Sequence, residues 1–82
     1  RAEYHWHTIA LMAKEEIQRG EKDGDVAKSY GKSSQALRLL VDARDYGEQY
    51  LASIGKTDQW SLIDNDYYAF EQIVKCRRKL RG

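Results

Sequence analysis

Residues 23–42 read DGDVAKSYGKSSQALRLLVD, and the spacing of their small, apolar and turn-forming residues decides how the chain folds. The stretch predicts two helices joined by a tight turn. Ala27 falls inside the first, short helix, where a second helix packs close and a larger side chain would clash. Gly31 follows four residues later, where the turn needs a left-handed backbone that glycine adopts at little cost. Val26, Leu37 and Leu40 fall where the two helices bury apolar side chains against each other. Ser33 is placed to cap the second helix through its side-chain oxygen. This is the spacing of a helix-turn-helix, whose second helix lies in the DNA major groove with its first turns on the base edges. A helical hairpin that merely shares the spacing is the alternative reading.

Outward from this stretch the pattern is all-helical. Trp6, Ile9, Ala10, Ala13 and Ile17 recur at three- and four-residue spacing, predicting an amphipathic helix over 3–19 that ends at Arg19-Gly20. Residues 21–24 read as a polar connection. Tyr46-Gly47 reads as a weak point or bend, after which Tyr50, Leu51 and Ile54 continue an apolar stripe to Gly55. Thr57 or Asp58 is placed to cap a short helix carrying Trp60, Leu62 and Ile63, and Asp64, Asn65 and Asp66 to cap the next. A last helix, about 66–80, buries Tyr67, Phe70, Ile73 and Val74 on this reading. The expectation is a single all-α domain over 1–82, a compact bundle of five to six helices containing a helix-turn-helix.

The 82 residues suffice for one modest core. With 41% hydrophobic and 33% charged residues, no run long enough to span a membrane and no signal-peptide pattern, the composition suits a cytoplasmic, nucleoid-associated protein. The one cysteine, Cys76, excludes a disulfide or a cysteine-based zinc site within one chain. Because the chain starts at Arg1, a piece of a larger protein is expected. The net charge of +1 argues against a non-specific DNA coat but not against a reader, since local charge matters more than the sum. That charge is uneven: 75–82, KCRRKLRG, holds five basic residues and no acidic one.

Sorting the second helix by its period turns Leu37, Leu40 and Val41 inward and leaves Ser33, Ser34, Gln35 and Arg38 for the groove. Glutamine can pair with adenine through two hydrogen bonds, and arginine with guanine or phosphate. Lys28 and Lys32 lie near the expected phosphate path, and Arg77 and Arg78 on the basic helix end offer further phosphate contacts. Asp42 and Asp45 are expected to face away from DNA.

Segment 24–40 resembles the helix-turn-helix of ParB-type partition proteins, through Val26-Ala27, Tyr30-Gly31-Lys32-Ser33 and the leucine-rich helix that follows. The preceding helix also sits where that family places one. The resemblance covers about half of the chain. It implies a reader of double-stranded DNA, in plasmid or chromosome partition or in a related regulator, with homodimerisation through segments outside this sequence. Where the family often has a basic residue after Ser33, this chain has Ser34. Where it often has Ser or Thr and then Asn after the buried aliphatic, this chain has Arg38 and Leu39. The operator sequence therefore does not carry over. Nothing matches the family's arginine-rich nucleotide-binding part, so no hydrolysis is assigned.

Other patterns favour blander readings. His5-Trp6-His7 invites a metal, but two histidines two apart on a helix diverge by about 200°. Glu3 and His7, four apart, are too few for a site. The expectation is two surface histidines flanking a buried tryptophan, with no metal or other cofactor. Asp64, Asn65 and Asp66 lack the spacing of a calcium loop. Tyr46, Tyr50, Trp60, Tyr67, Tyr68 and Phe70 read as core. No nucleophile–base pair or phosphate loop supports an enzyme. A protein-interaction module, with Leu39 and the tyrosines exposed, is the alternative to DNA binding.

Overall fold

The computed structural model describes residues 4–81, Arg81 by its backbone alone. They form α1 (Trp6–Gln18), α2 (Asp23–Ser29), α3 (Ser34–Ser53), a 3-10 turn (Trp60–Ile63) and α4 (Tyr67–Arg81). There is no strand among the described residues. The count is four α-helices and one 3-10 turn rather than five to six helices. The difference lies chiefly at Tyr46-Gly47, where the chain does not break.

The stretch 23–42 forms two helices joined by a tight turn. Val26, Ala27 and Leu37 are each 1% exposed and interlock α2 with α3, joined by Ala13 of α1. Ile17, Tyr30 and Val41 close the edges of this first cluster. Gly31 has φ +68°. With it in that conformation, the Lys32 amide reaches back to the Ala27 carbonyl at 2.9 Å and closes the end of α2. Ser33 caps α3, its hydroxyl oxygen accepting from the Ala36 amide at 3.1 Å.

α3 then runs unbroken for 20 residues. Gly47 is buried inside it because the Trp60 ring packs where a side chain would stand. A glycine that weakens an isolated helix here admits a large aromatic group, and the burial of that group outweighs the lost propensity. Around the glycine lies a second cluster: Ala43, Leu51, Ile63, Phe70 and Val74, packed with Trp6, Leu39, Tyr46, Trp60 and Tyr67. The Trp6 indole N–H donates to the Ile63 carbonyl at 3.2 Å, pinning the start of α1 to the 3-10 turn.

Several details depart from the sequence reading. Asp58 has φ +64° and the 3-10 turn has no side-chain cap, so neither Thr57 nor Asp58 starts it. Ile73 is 41% exposed because α3 meets the α4 face that carries Phe70 and Val74. Tyr50 and Tyr68 are exposed rather than core, whereas Leu39 is half-buried against the second cluster. α1 begins at Trp6, and the expected helix start at residue 3, with Glu3 itself, lies outside the described residues.

Candidate nucleic-acid interface

The α2–α3 turn presents a polar edge. Lys28 in the last turn of α2, Lys32 in the connection, the capping residue Ser33, and Ser34 and Gln35 in the first turn of α3 are all exposed. The Arg38 side chain, one turn further along α3, is 66% exposed. With Ala36 capped by Ser33, the remaining amides of the first turn point outward past the helix end, where the helix dipole favours an anion.

Arg38 is not free. Its guanidinium pairs with Asp23 in the first turn of α2, and Asp25 stands in the same turn. The start of α2 lies close to that of α3, since a β-carbon on Gly24 would sit 3.7 Å from Ser34 Oγ. Asp23, Ser34, Leu37, Arg38, Val41 and Asp42 line one open groove with Ile17 of α1. The acids at the start of α2, favourable to their own helix, therefore stand beside the residues expected to meet DNA.

Asp42 does not turn away from Arg38. Asp42 shares this groove with Arg38, one helical turn earlier, and also borders a second groove, with Asp45, Tyr46, Gln49, Val74, Arg77 and Arg78. The charges of Asp42 and Asp45 are countered in place. Arg78 of α4 pairs with Asp42 at 2.7 Å, and Lys14 of α1 with Asp45 at 3.3 Å. The Arg77 guanidinium lies 5.9 Å from the centre of the Tyr46 ring. The basic end of α4 thus runs beside the middle of α3, and Arg78 joins the row that carries Arg38. Lys75 pairs with Glu71 on its own helix at 3.2 Å. Cys76 is exposed on α4.

At the other end of α1, His5 is exposed as expected but His7 is not. His5 precedes the helix with extended backbone, φ −65° and ψ 156°, so the 200° divergence does not apply. Its ring stacks on that of His7 with centroids 5.5 Å apart. His7 is the buried residue, 8% exposed, and Trp6 is only half-buried. Of the three residues placed to cap α4, Asp66 precedes the helix, whereas the Asp64 carboxylate turns to the histidines: its Oδ1 lies 2.6 Å from His7 Nε2 and its Oδ2 3.6 Å from His5 Nε2. The His7 ring also stacks on Trp60 at 4.9 Å, and its carbonyl accepts from Arg44 Nε at 3.1 Å. Asp64 is 57 residues from His7, so no local spacing could have announced the trio.

Compared with known protein families, curated proteins and solved structures, the chain finds no significant match.

Proposed function

We propose that the chain is a sequence-reading DNA-binding domain in which α2 and α3 act as a helix-turn-helix. The observation that carries this reading is the polar first turn of α3. Ser33, Ser34, Gln35 and Arg38 are presented to solvent, while Val26, Ala27 and Leu37 lock the two helices at a left-handed glycine turn. The resemblance of segment 24–40 to ParB-type proteins supports it. In this reading Ser34, Gln35 and Arg38 meet base edges, and Lys28, Lys32, Arg77 and Arg78 meet phosphates. Arg38 exchanges Asp23 for DNA on binding. Arg78 has the analogous choice between Asp42 and a phosphate.

The test is fluorescence anisotropy on a random duplex library across salt concentrations, with sequencing of the bound fraction. One enriched motif is expected. Four phosphate contacts give a log–log salt slope of about −3 to −4. No binding at low salt, by the chain alone or by a tethered dimer of it, would overturn the reading.

A second reading, docking of a protein partner, is favoured by the exposed apolar side chains of α4, where Tyr68 is 71% and Leu80 79% exposed. It predicts binding insensitive to salt and to Arg38.

A further inference from the structure

We propose that His5, His7 and Asp64 form a site for one zinc-type divalent ion, independent of the DNA-binding reading. The three side chains offer two imidazole nitrogens and a carboxylate oxygen, all within 4.8 Å of one another. This is a borderline N/O donor set, suited to zinc and its neighbours rather than to calcium or magnesium, which prefer oxygen alone.

The spacing is close to what coordination needs. In a tetrahedral zinc site with bonds of about 2.0–2.1 Å, ligand atoms stand about 3.3 Å apart. His5 Nε2 stands 3.6 Å from Asp64 Oδ2, near that value, while His7 Nε2 stands 2.6 Å from the other oxygen, Oδ1, so the carboxylate must turn and that pair open for one oxygen to serve as ligand. His5 supplies the required freedom, since its side chain is 60% exposed and precedes the helix. His7 supplies the fixed reference. Its side chain is 10% exposed, with Trp60 stacked on its face and Trp6 edge-on at 5.6 Å. The ion takes the place of the proton held between His7 Nε2 and Asp64 Oδ1, and a neutral His7 then ligates through Nε2 with its one proton on Nδ1. Arg44 is packed against this corner. Its guanidinium lies 4.5 Å from the centre of the Trp60 ring, and Glu48 stands 3.9 Å away.

Three protein ligands leave a fourth position for water. The ion ties the residue before α1 to the loop before α4, so binding adds to fold stability in proportion to the logarithm of free metal. The whole untagged chain is titrated with cobalt(II) and then zinc(II), with visible absorption and thermal melting as readouts. The expected result is one equivalent of cobalt with a tetrahedral spectrum, displacement by zinc, and a Tm increase of about 5 °C or more at saturating zinc.

His5→Ala, at an exposed position, keeps the metal-free Tm and weakens binding at least about tenfold. Asp64→Asn weakens it likewise, and Cys76→Ser leaves it unchanged. The proposal fails if wild type shows no spectrum and no Tm change, if His5→Ala binds as tightly as wild type, or if binding depends on Cys76.

Discussion

Gly47 and Trp60 are in such close contact that a β-carbon on the glycine would stand 2.9 Å from the indole Cζ3 and 3.2 Å from Ile63 Cδ1. Gly47→Ala gains about 1 kcal/mol of helix propensity but pushes a methyl group into a packed aromatic ring, and overpacking costs about 1–3 kcal/mol. The expected outcome is a net loss of about 1 kcal/mol. Urea unfolding followed by tryptophan fluorescence measures it, and a gain in stability would show that the ring is free to move.

Gly31 provides the opposite case. A β-carbon there meets nothing within 4 Å, so only the backbone resists substitution. Gly31→Asn is expected to cost under about 1 kcal/mol, because asparagine tolerates the left-handed conformation. Gly31→Val is expected to cost about 2 kcal/mol or more. Equal stabilities of the two variants would place the strain elsewhere.

Asp23 holds Arg38 by an ion pair in the free protein. Asp23→Asn releases the arginine and removes a negative charge beside the first turn of α3. Under the DNA-binding reading it tightens binding several-fold at low salt. Arg38→Ala weakens it by about 1–3 kcal/mol on the selected sequence only, if the arginine reads a base. An equal loss on every duplex assigns Arg38 to phosphate.

The phenols of Tyr30 and Tyr67 are each pushed up to about 12. Burial is the main cause in both, followed by hydrogen bonds to Glu16 and Glu71 respectively. Their folded values lie above the unfolded value near 10. The fold therefore favours the protonated phenols, and the stability they contribute is present below pH 10 and lost between about pH 10 and pH 12. Absorbance at the phenolate band should show two tyrosines titrating late. Tyr30→Phe and Tyr67→Phe should each flatten the alkaline loss of stability.

The parts of this fold legible from sequence are those whose partners lie within one or two turns of chain. Ala27, Gly31, Ser33 and Leu37 make a self-contained pattern, and each does locally what its type and position predict. The misreadings are the positions decided by a distant partner. Gly47 reads as a break until Trp60 arrives from the far side of a loop. Asp64, Asn65 and Asp66 read alike as cap residues, but Asp66 precedes α4 while Asp64 is drawn to His7 from the other end of the chain. His5 and His7 were read on a helix that begins only after His5. The exposed row of α3 was legible as a set of residues, but its ion pairs with Asp23, Lys14 and Arg78 come from three other helices.

The uninterrupted length of α3 sets the smallest unit that can be cut from this protein. Leu37 and Val41 of its first turns pack into one apolar cluster, while Leu39, Ala43, Tyr46 and Leu51 pack into the other. A fragment ending at residue 53 would keep α1, α2 and the turn, yet strip Ile63, Phe70 and Val74 from the cluster that holds Ala43 and Leu51, and the Trp60 ring from Gly47. The unit that carries the exposed α2–α3 edge is thus inseparable from α4, and the two clusters should melt in one transition rather than as a head and a detachable tail.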